Sequence, residues 1–533
     1  MKKFFPILFF FSLKIVQAQN CSPASAFNYL DINNVKARIN NGGDMWWDLM
    51  NEAKYVVPKT GNVSSLFAGA LWIGGLDVQG NLHVAAQTYR QNGNDFFPGP
   101  LDTSGNVTSQ TCSDFDRIWK VNKTTIDSFI AGFFSIPPSS ILYWPGHGNP
   151  YLSFAQQELA PYVDVDSNGY YDAAQGDYPN IPGDQALWFV FNDKGNTHGE
   201  TGGLPLGIEV QCLAYAVKDA SACTFSTTFY HYLITNKSSN DYNHVYIGMW
   251  DDPDLGCYVD DYIGSDSTSN SAVVYNGETP DSYLCAYNYG NQPPVLALKI
   301  FKGPTDDNGT THYLDHTMYY VNDFSVIGNP ETPAHYYQYL QSIWKDNTHL
   351  TFGGNGYGGA QSANYFYSDD PSIATGWSMC GLNATFTDMR FIVSSGPVSI
   401  NAHESKTFDV AAVWDNTSVY PCPSFATIDS VAACAKDYFN GISLPSGIKN
   451  ISSAHKPFSV FPNPVGTSSV ISFSGKNFSQ IEIFDLAGKK LFDSEVKKID
   501  VLKLNSDQLG KGLFIYRITF NDHSSQSGKL VVQ

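Results

Sequence analysis

Short apolar runs, each stopped by Gly, Pro, Asn or Asp, recur along most of this chain and predict a protein built mainly of β-strands. Ser65–Ile73 halts at Gly74-Gly75, and Leu82–Tyr89 resumes after Gly80-Asn81, the signature of a tight hairpin. Ala186–Phe191, Ile208–Val217, Ser226–Asn236 and His244–Trp250 are bounded by polar turn residues and read as strands. So do Arg390–Ser394 and Thr407–Trp414, which flank Ser395-Gly396-Pro397. Phe225–Thr235 followed by Asn236–Asp241 predicts strand, turn and strand within a sandwich. Helices are expected near Thr124–Phe133 and over Ile428–Phe439. A third is expected where Thr332 can cap, Pro333 suits the first position, and Tyr336 to Trp344 supplies an apolar stripe. Pro145 to Asp184 is rich in Gly, Pro, Asn and Asp and reads as a long ordered loop. No fixed-period repeat is visible, which disfavours solenoids and propellers.

The expected fold class is mainly β: a large β-sandwich-type body with long ordered loops and a few short helices, plus a small C-terminal Ig-like β-sandwich. The expected divisions are a signal peptide (1–18), an N-terminal β-rich region with an acidic loop (19–184), and a β-sandwich region integrated with it (185–443). A linker (444–457) and a C-terminal domain (458–533) follow. Aromatic residues reach 14% while charged ones are only 15%, a balance that favours sheets and leaves too many rings for a disordered chain. Lys2 and Lys3 precede the short apolar run Phe4–Leu13, and Val16-Gln17-Ala18 places small residues for cleavage before Gln19. That run is too short to span a membrane, and no other segment approaches the length. Cys21 lacks a lipobox before it.

An exported chain meets an oxidising compartment, so some of the nine cysteines should pair. Sequence-local candidates are Cys212–Cys223, Cys422–Cys434 and Cys257–Cys285, and the odd total leaves a thiol over. No CxxC pair is present to suggest zinc.

Charge changes the picture further. The net charge is −19, yet residues 1–18 and 457–533 are both slightly basic, leaving 19 basic against 43 acidic residues between them. Such a body repels nucleic acid and anionic headgroups and attracts divalent cations. Asp164-Val-Asp166-Ser-Asn168-Gly-Tyr170-Tyr-Asp172 matches the opening of a DxDxNGxxD calcium loop, with the Tyr170 carbonyl at position seven. Position twelve is Gln175, so Asp177 or Asp184 would have to close the site; the plain alternative is an Asx-turn loop without metal. A second, weaker candidate is Asp251, Asp252, Asp254, Asp260 and Asp261, followed by Asp266: a calcium site, a solvated acidic loop or, less expectedly, a pair of catalytic carboxylates. The expected cofactor is structural calcium. His198-Gly199-Glu200 reads as a surface turn. Trp46, Trp47, Trp72 and Tyr89 could form a sugar-stacking platform but more commonly such residues are core. No HExxH, GxSxG, P-loop or dinucleotide fingerprint occurs.

The C-terminal block opens with Phe461-Pro462-Asn463-Pro464. It continues with the alternating strand Ile481–Leu486, which turns at Ala487-Gly488-Lys489, and ends with Leu509–Ile518, containing Gly512, and Gly528–Val532, containing Lys529. Alternation at Ile481, Ile483 and Phe484, then at Leu513, Ile515, Tyr516 and Ile518, predicts one buried face. In this order the block resembles the type A sorting domain of the Bacteroidota type IX secretion system. The resemblance implies recognition by the outer-membrane machinery, with Pro462, Asn463, Pro464, Gly488, Gly512 and Lys529 in the signal, and delivery to the cell surface or medium. Asn41–Asp48, Ser65–Asp77, His83–Arg90, Gly176–Pro179, Asp252–Gly256, Asp260–Gly264 and Arg390–Trp414 resemble a group of large secreted Bacteroidota proteins. That likeness implies location but brings no catalytic residues to transfer.

The expected function is therefore a non-catalytic, calcium-stabilised surface or secreted protein in adhesion, surface assembly or gliding, its partner a surface glycan or another surface protein. The alternatives are a secreted hydrolase of polysaccharide or peptide, and a secretion-machinery accessory that keeps its sorting domain.

Overall fold

The computed structural model describes residues 21–152, 157–220, 223–282 and 284–442, and in the C-terminal part 458–461, 465–466, 470–475, 478–485, 489–495, 501–520 and 525–533. The signal peptide, the 444–457 linker, Pro462, Asn463, Pro464 and Gly488 lie outside the described residues. The chain divides into two compact units, Met1–Gly447 and Ile448–Gln533.

The first unit is built on a sandwich of two large antiparallel sheets, beside which Tyr162–Val163 pairs with Tyr178–Pro179. From one edge, the ten-stranded sheet runs His316–Val321, Met389–Ile400, Tyr242–Asp252, Ala68–Asp77, Asp44–Met45, Lys36–Asn40, Tyr55–Val56 and Ser64–Leu66. Phe27–Leu30 and Leu82–Ala85 pair beside this path. The nine-stranded sheet runs Asp261–Asp266, Ser271–Asn276, Val295–Lys302, Ser405–Asp415, Thr227–Asn236, Ile208–Ala216, Gln185–Asn192 and Phe97–Pro98, with Trp119–Asn122 also on Gln185–Asn192. Each sheet mixes strands from both halves of the chain. The Trp46 indole N–H donates to Tyr230 Oη (2.8 Å), and Tyr55 Oη meets Thr228 Oγ1 (2.9 Å), joining the sheets through a core that buries Trp46, Trp72 and Trp250 completely. Each such side chain adds about 2–3 kcal/mol by leaving water.

One sequence expectation gains detail here and one changes. Thr227–Asn236 and Tyr242–Asp252 are strands joined by a turn, but they lie in opposite sheets, so the turn arches across the sandwich. Ser395-Gly396-Pro397 does not separate strands. Met389–Ile400 runs through it, and the ladder shifts register opposite Val245 to absorb the proline, which has no N–H to give. Gln185–Asn192 is buried at every position, which explains an apolar run without alternation.

The helices occur as Lys123–Ile130, Pro333–Tyr339 and Ala426–Gly441, with Thr332 capping the second through the His335 N–H. Four disulfides form: Cys21–Cys112, Cys223–Cys434, Cys257–Cys285 and Cys380–Cys422. Of the local candidates only Cys257–Cys285 occurs. Cys212 faces Tyr232 within the sheet and stays a buried thiol, while Cys223 sits in a turn packed on helix Ala426–Gly441 and so reaches Cys434. Cys422 bonds to Cys380 of the short helix Met379–Leu382.

The second unit has a three-stranded sheet (Phe458–Phe461, Val470–Gly475, Val501–Asn505) and a four-stranded one (Lys490–Glu495, Phe478–Phe484, Gly512–Phe520, Ser525–Val532). Ile481 pairs with Ile518 and Ile483 with Tyr516, so these side chains share the inner face with Phe514, Leu530 and Val532. Leu513 is exposed on the other face, contrary to the expected set, because strand alternation admits Phe514 inward and not its neighbours. Gly512 opens its strand opposite Val532, and Lys529, exposed, pairs with Ile515.

Candidate functional site

The loop at 164–177 is built from its own hydrogen bonds. Asp164 accepts the Gly169 N–H (2.7 Å) and the Asn168 N–H (3.2 Å); Asp166 also accepts the latter and the Asn168 side-chain amide (3.0 Å). Gly169 holds φ +85°, where a Cβ is disfavoured. Asp177, completely buried, accepts the Val165 and Asp172 N–H groups, each at 2.8 Å. Carboxylate oxygens of Asp164, Asp166 and Asp177 lie within 4.8 Å of one another. Burial, reinforced by Asp164 and Asp166, pushes the Asp177 carboxyl up despite its two backbone donors. Asp172 turns away to cap Ala173–Gln175 through the Ala174 N–H (2.9 Å). The Tyr170 N–H is held by Asn168 Oδ1 (2.7 Å), and its exposed ring stacks on His147.

The acidic stretch after residue 250 does not act as one cluster. Asp251 and Asp252 end a strand, so they point to opposite faces. Asp251 is fully buried, neither oxygen has a hydrogen-bond partner, and burial pushes its carboxyl far up. Asp260 accepts the Ser282 N–H (2.8 Å), and Asp281 accepts the Cys257 N–H (3.2 Å). These two serve the chain around the Cys257–Cys285 disulfide, whose sulfurs are not free to bind metal. Burial pushes Asp260 up to about 6.

The oxygens that converge, within 4.8 Å of one another, belong to Asp252, Asp254 and Asp388. Arg390 lies beside them, with Nη1 2.7 Å from Asp388 and Nε 3.4 Å from Asp252 Oδ1. The Arg390 Nε–H donates to Tyr89 Oη (2.9 Å), which donates in turn to Asp252 Oδ2 (2.6 Å). Asp261 shares a small cavity with Asp254, Asp388 and Tyr258; its Oδ2 accepts the Leu255 N–H (2.8 Å) while Oδ1 has no partner. Burial pushes Asp252 up to about 6 against the pull of Arg390. Asp254 is driven well above the usual range by burial and then by Asp252 and Asp388. The sequence reading missed Asp388, Arg390 and Tyr89, which only folding brings to Asp252.

Asp254 and Tyr258 also line a neighbouring open cleft of about 590 Å³, with Tyr29, Tyr287, Lys36 and Glu52 among its walls. Tyr258 and Tyr287 are half exposed. Trp46, Trp47 and Trp72 are core and form no surface platform. His198 and Glu200 are buried as well, not on a surface turn. The His198 ring nitrogens meet the carbonyls of Val84 (2.8 Å) and Asp193 (2.7 Å), and Glu200 accepts from Thr88 and Tyr336. The long segment between the strands folds back over the sheet there, which a local HxE pattern cannot reveal.

A disulfide-bonded sandwich with a separate C-terminal β unit is the build of an exported protein. Residues 459–533 match the family described as the secretion system C-terminal sorting domain. The chain is thus a substrate of type IX secretion, a Bacteroidota route, carried across the outer membrane to the cell surface or beyond. No helix among the described residues is long and apolar enough to cross a membrane. No curated protein matches the chain in sequence. Among solved structures, a chain described as a polysaccharide lyase is similar at 8% identity, covering 61% of this chain and 34% of its own, with a TM-score of 0.18. This chain thus spans about a third of that structure's length, and so low a score carries no argument.

Proposed function

We propose that the exported body is a non-catalytic binding protein of the cell surface or its surroundings, serving adhesion, surface assembly or gliding. Its ligand is a surface glycan or another surface protein, held in the cleft beside Asp254. The supporting observation is the cleft itself, where Tyr258 and Tyr287 stand half exposed among Tyr29, Lys36 and Glu52. Tyrosine faces stack on sugar rings or partner side chains while hydroxyl, ammonium and carboxylate groups bond to their polar edges. Calcium at Asp164, Asp166 and Asp177 would brace the 164–177 loop in a structural role, the oxygen-only donors suiting a hard cation.

Binding of the full secreted chain to an array of surface polysaccharides tests this reading. A Tyr258→Ala/Tyr287→Ala variant is expected to lose at least tenfold in affinity. Binding unchanged by the double substitution would overturn it.

A hydrolase remains the second reading because Asp254, with its raised carboxyl pKa, shares the cleft with Glu52, and two carboxyl groups flanking a sugar are the usual machinery of glycoside hydrolysis. Release of reducing ends from a polysaccharide, abolished by Asp254→Asn, would select it. The mass of the surface-bound protein distinguishes a removed sorting domain from a retained one, the latter favouring a role within the secretion machinery.

A further inference from the structure

We propose that Asp252, Asp254 and Asp388, closed by Asp261, bind a calcium ion at the seam between the two sheets. The three converging carboxylates come from segments that folding alone brings together: the end of Tyr242–Asp252, the turn after it, and the residue before Met389–Ile400. Crowded acids do not by themselves make a site. Here two deeply buried oxygens carry the argument: Asp261 Oδ1 has no hydrogen-bond partner and Asp252 Oδ1 has only the Arg390 Nε at 3.4 Å, although Asp252 and Asp261 are only 3% and 6% exposed. Asp261 lines the same small cavity as Asp254 and Asp388, so this buried residue borders the space an ion would fill. A buried carboxylate oxygen without a donor is costly, and native proteins rarely leave one so.

Arg390 supplies one positive charge to this group, through Asp388 and Asp252. The three converging carboxylates exceed what one guanidinium can balance, and a divalent ion makes up the difference. The donors are all oxygens, which selects a hard cation over zinc or copper. They are held on separate segments without octahedral regularity, which favours calcium over magnesium.

The ion would have a mechanical consequence. Asp252 ends one strand of the ten-stranded sheet and Asp388 directly precedes another, while Asp261 opens the edge strand of the nine-stranded sheet. One ion therefore clamps both sheets where they meet. Because Asp254 and Tyr258 also line the open cleft, it fixes part of the cleft wall as well.

The test uses the full secreted chain stripped with chelator and titrated with calcium chloride, with bound ions counted by native mass spectrometry. Asp164→Asn/Asp166→Asn removes the exposed loop from the count. On that background the protein is expected to take up calcium, and adding Asp254→Asn is expected to weaken the uptake at least tenfold. Asp254→Asn keeps the side chain's size, and circular dichroism checks that the variant folds. A loop variant that takes up no calcium would overturn the proposal, because protons alone would then neutralise the cluster. Uptake unaltered by Asp254→Asn in a folded protein would overturn it equally.

Discussion

The two acidic regions of the body resemble each other in composition and differ in what they leave unmet. In the 164–177 loop nearly every carboxylate oxygen that could hold an ion already accepts a backbone or side-chain N–H, and most of the loop is exposed. In the cluster around Asp252, one buried and two half-buried carboxylates converge with an arginine and a tyrosine but too few donors. A dense acidic motif is thus a weaker sign of metal need than a sparse set of acids that the fold buries together. Exposed carboxylates can be satisfied by water and local amides, whereas a buried one short of N–H or O–H donors requires a proton or a cation.

Arg390 offers the largest test of that difference. Replacing it by Met leaves Asp252 and Asp388 without their guanidinium, and losing one partner of a buried ion pair costs about 3–5 kcal/mol. Denaturant unfolding in chelator should show that loss, and calcium should recover part of it. Equal losses in both conditions would mean that no ion shares the site.

Glu200 provides a contrasting buried carboxyl that a proton alone can satisfy. Burial pushes it up to about 7 from an ordinary 4.5, with Asp95 and Asp44 reinforcing the shift and hydrogen bonds from Thr88 and Tyr336 opposing it. Since the folded pKa is the higher one, its contribution to stability is full below pH 4.5 and is lost as pH rises through 7. Measured by unfolding at a series of pH values, the wild type should lose about 3 kcal/mol across that window that Glu200→Gln does not. Calcium should leave this slope unchanged.

Much of the body was legible because strands announce themselves by turn residues. Ile208–Ala216, Ser405–Asp415 and the Gly80-Asn81 hairpin fall where the pattern puts them. Which sheet each strand joins was not legible, since Thr227–Asn236 and Tyr242–Asp252 carry the same alternation whether they pair or arch apart. The site followed the same rule. Asp164, Asp166 and Asp177 are close in sequence and close in space, while Asp252 meets Asp388 only through the pairing of Tyr242–Asp252 with Met389–Ile400. Asp251 and Asp260 were grouped with Asp252 by proximity in the chain, but strand alternation and the Cys257–Cys285 disulfide send them elsewhere. Disulfide partners failed for that reason too: Cys223 and Cys434 belong to a turn and a helix that pack together only in the finished fold.

Within the loop, Asp177 should matter more than its exposed neighbours. Asp177→Ala removes a buried acceptor from the Val165 and Asp172 N–H groups, a loss of about 1–3 kcal/mol with calcium or without.

Asp166→Asn should have the smallest effect, and it is the sharpest probe of the loop. Asp166 is exposed and holds only Asn168, through its N–H at 3.2 Å and its side-chain amide at 3.0 Å. An asparagine retains one acceptor oxygen at that position, so in chelator the change should stay within about 0.5 kcal/mol, as for most surface substitutions. An ion in the loop changes this expectation, because the amide oxygen is a poorer ligand than the carboxylate it replaces. The variant would then melt earlier than the wild type in calcium while matching it in chelator. Identical melting of the two proteins in both conditions would leave the loop a self-sufficient Asx turn, and the body's affinity for divalent cations would rest on the buried seam.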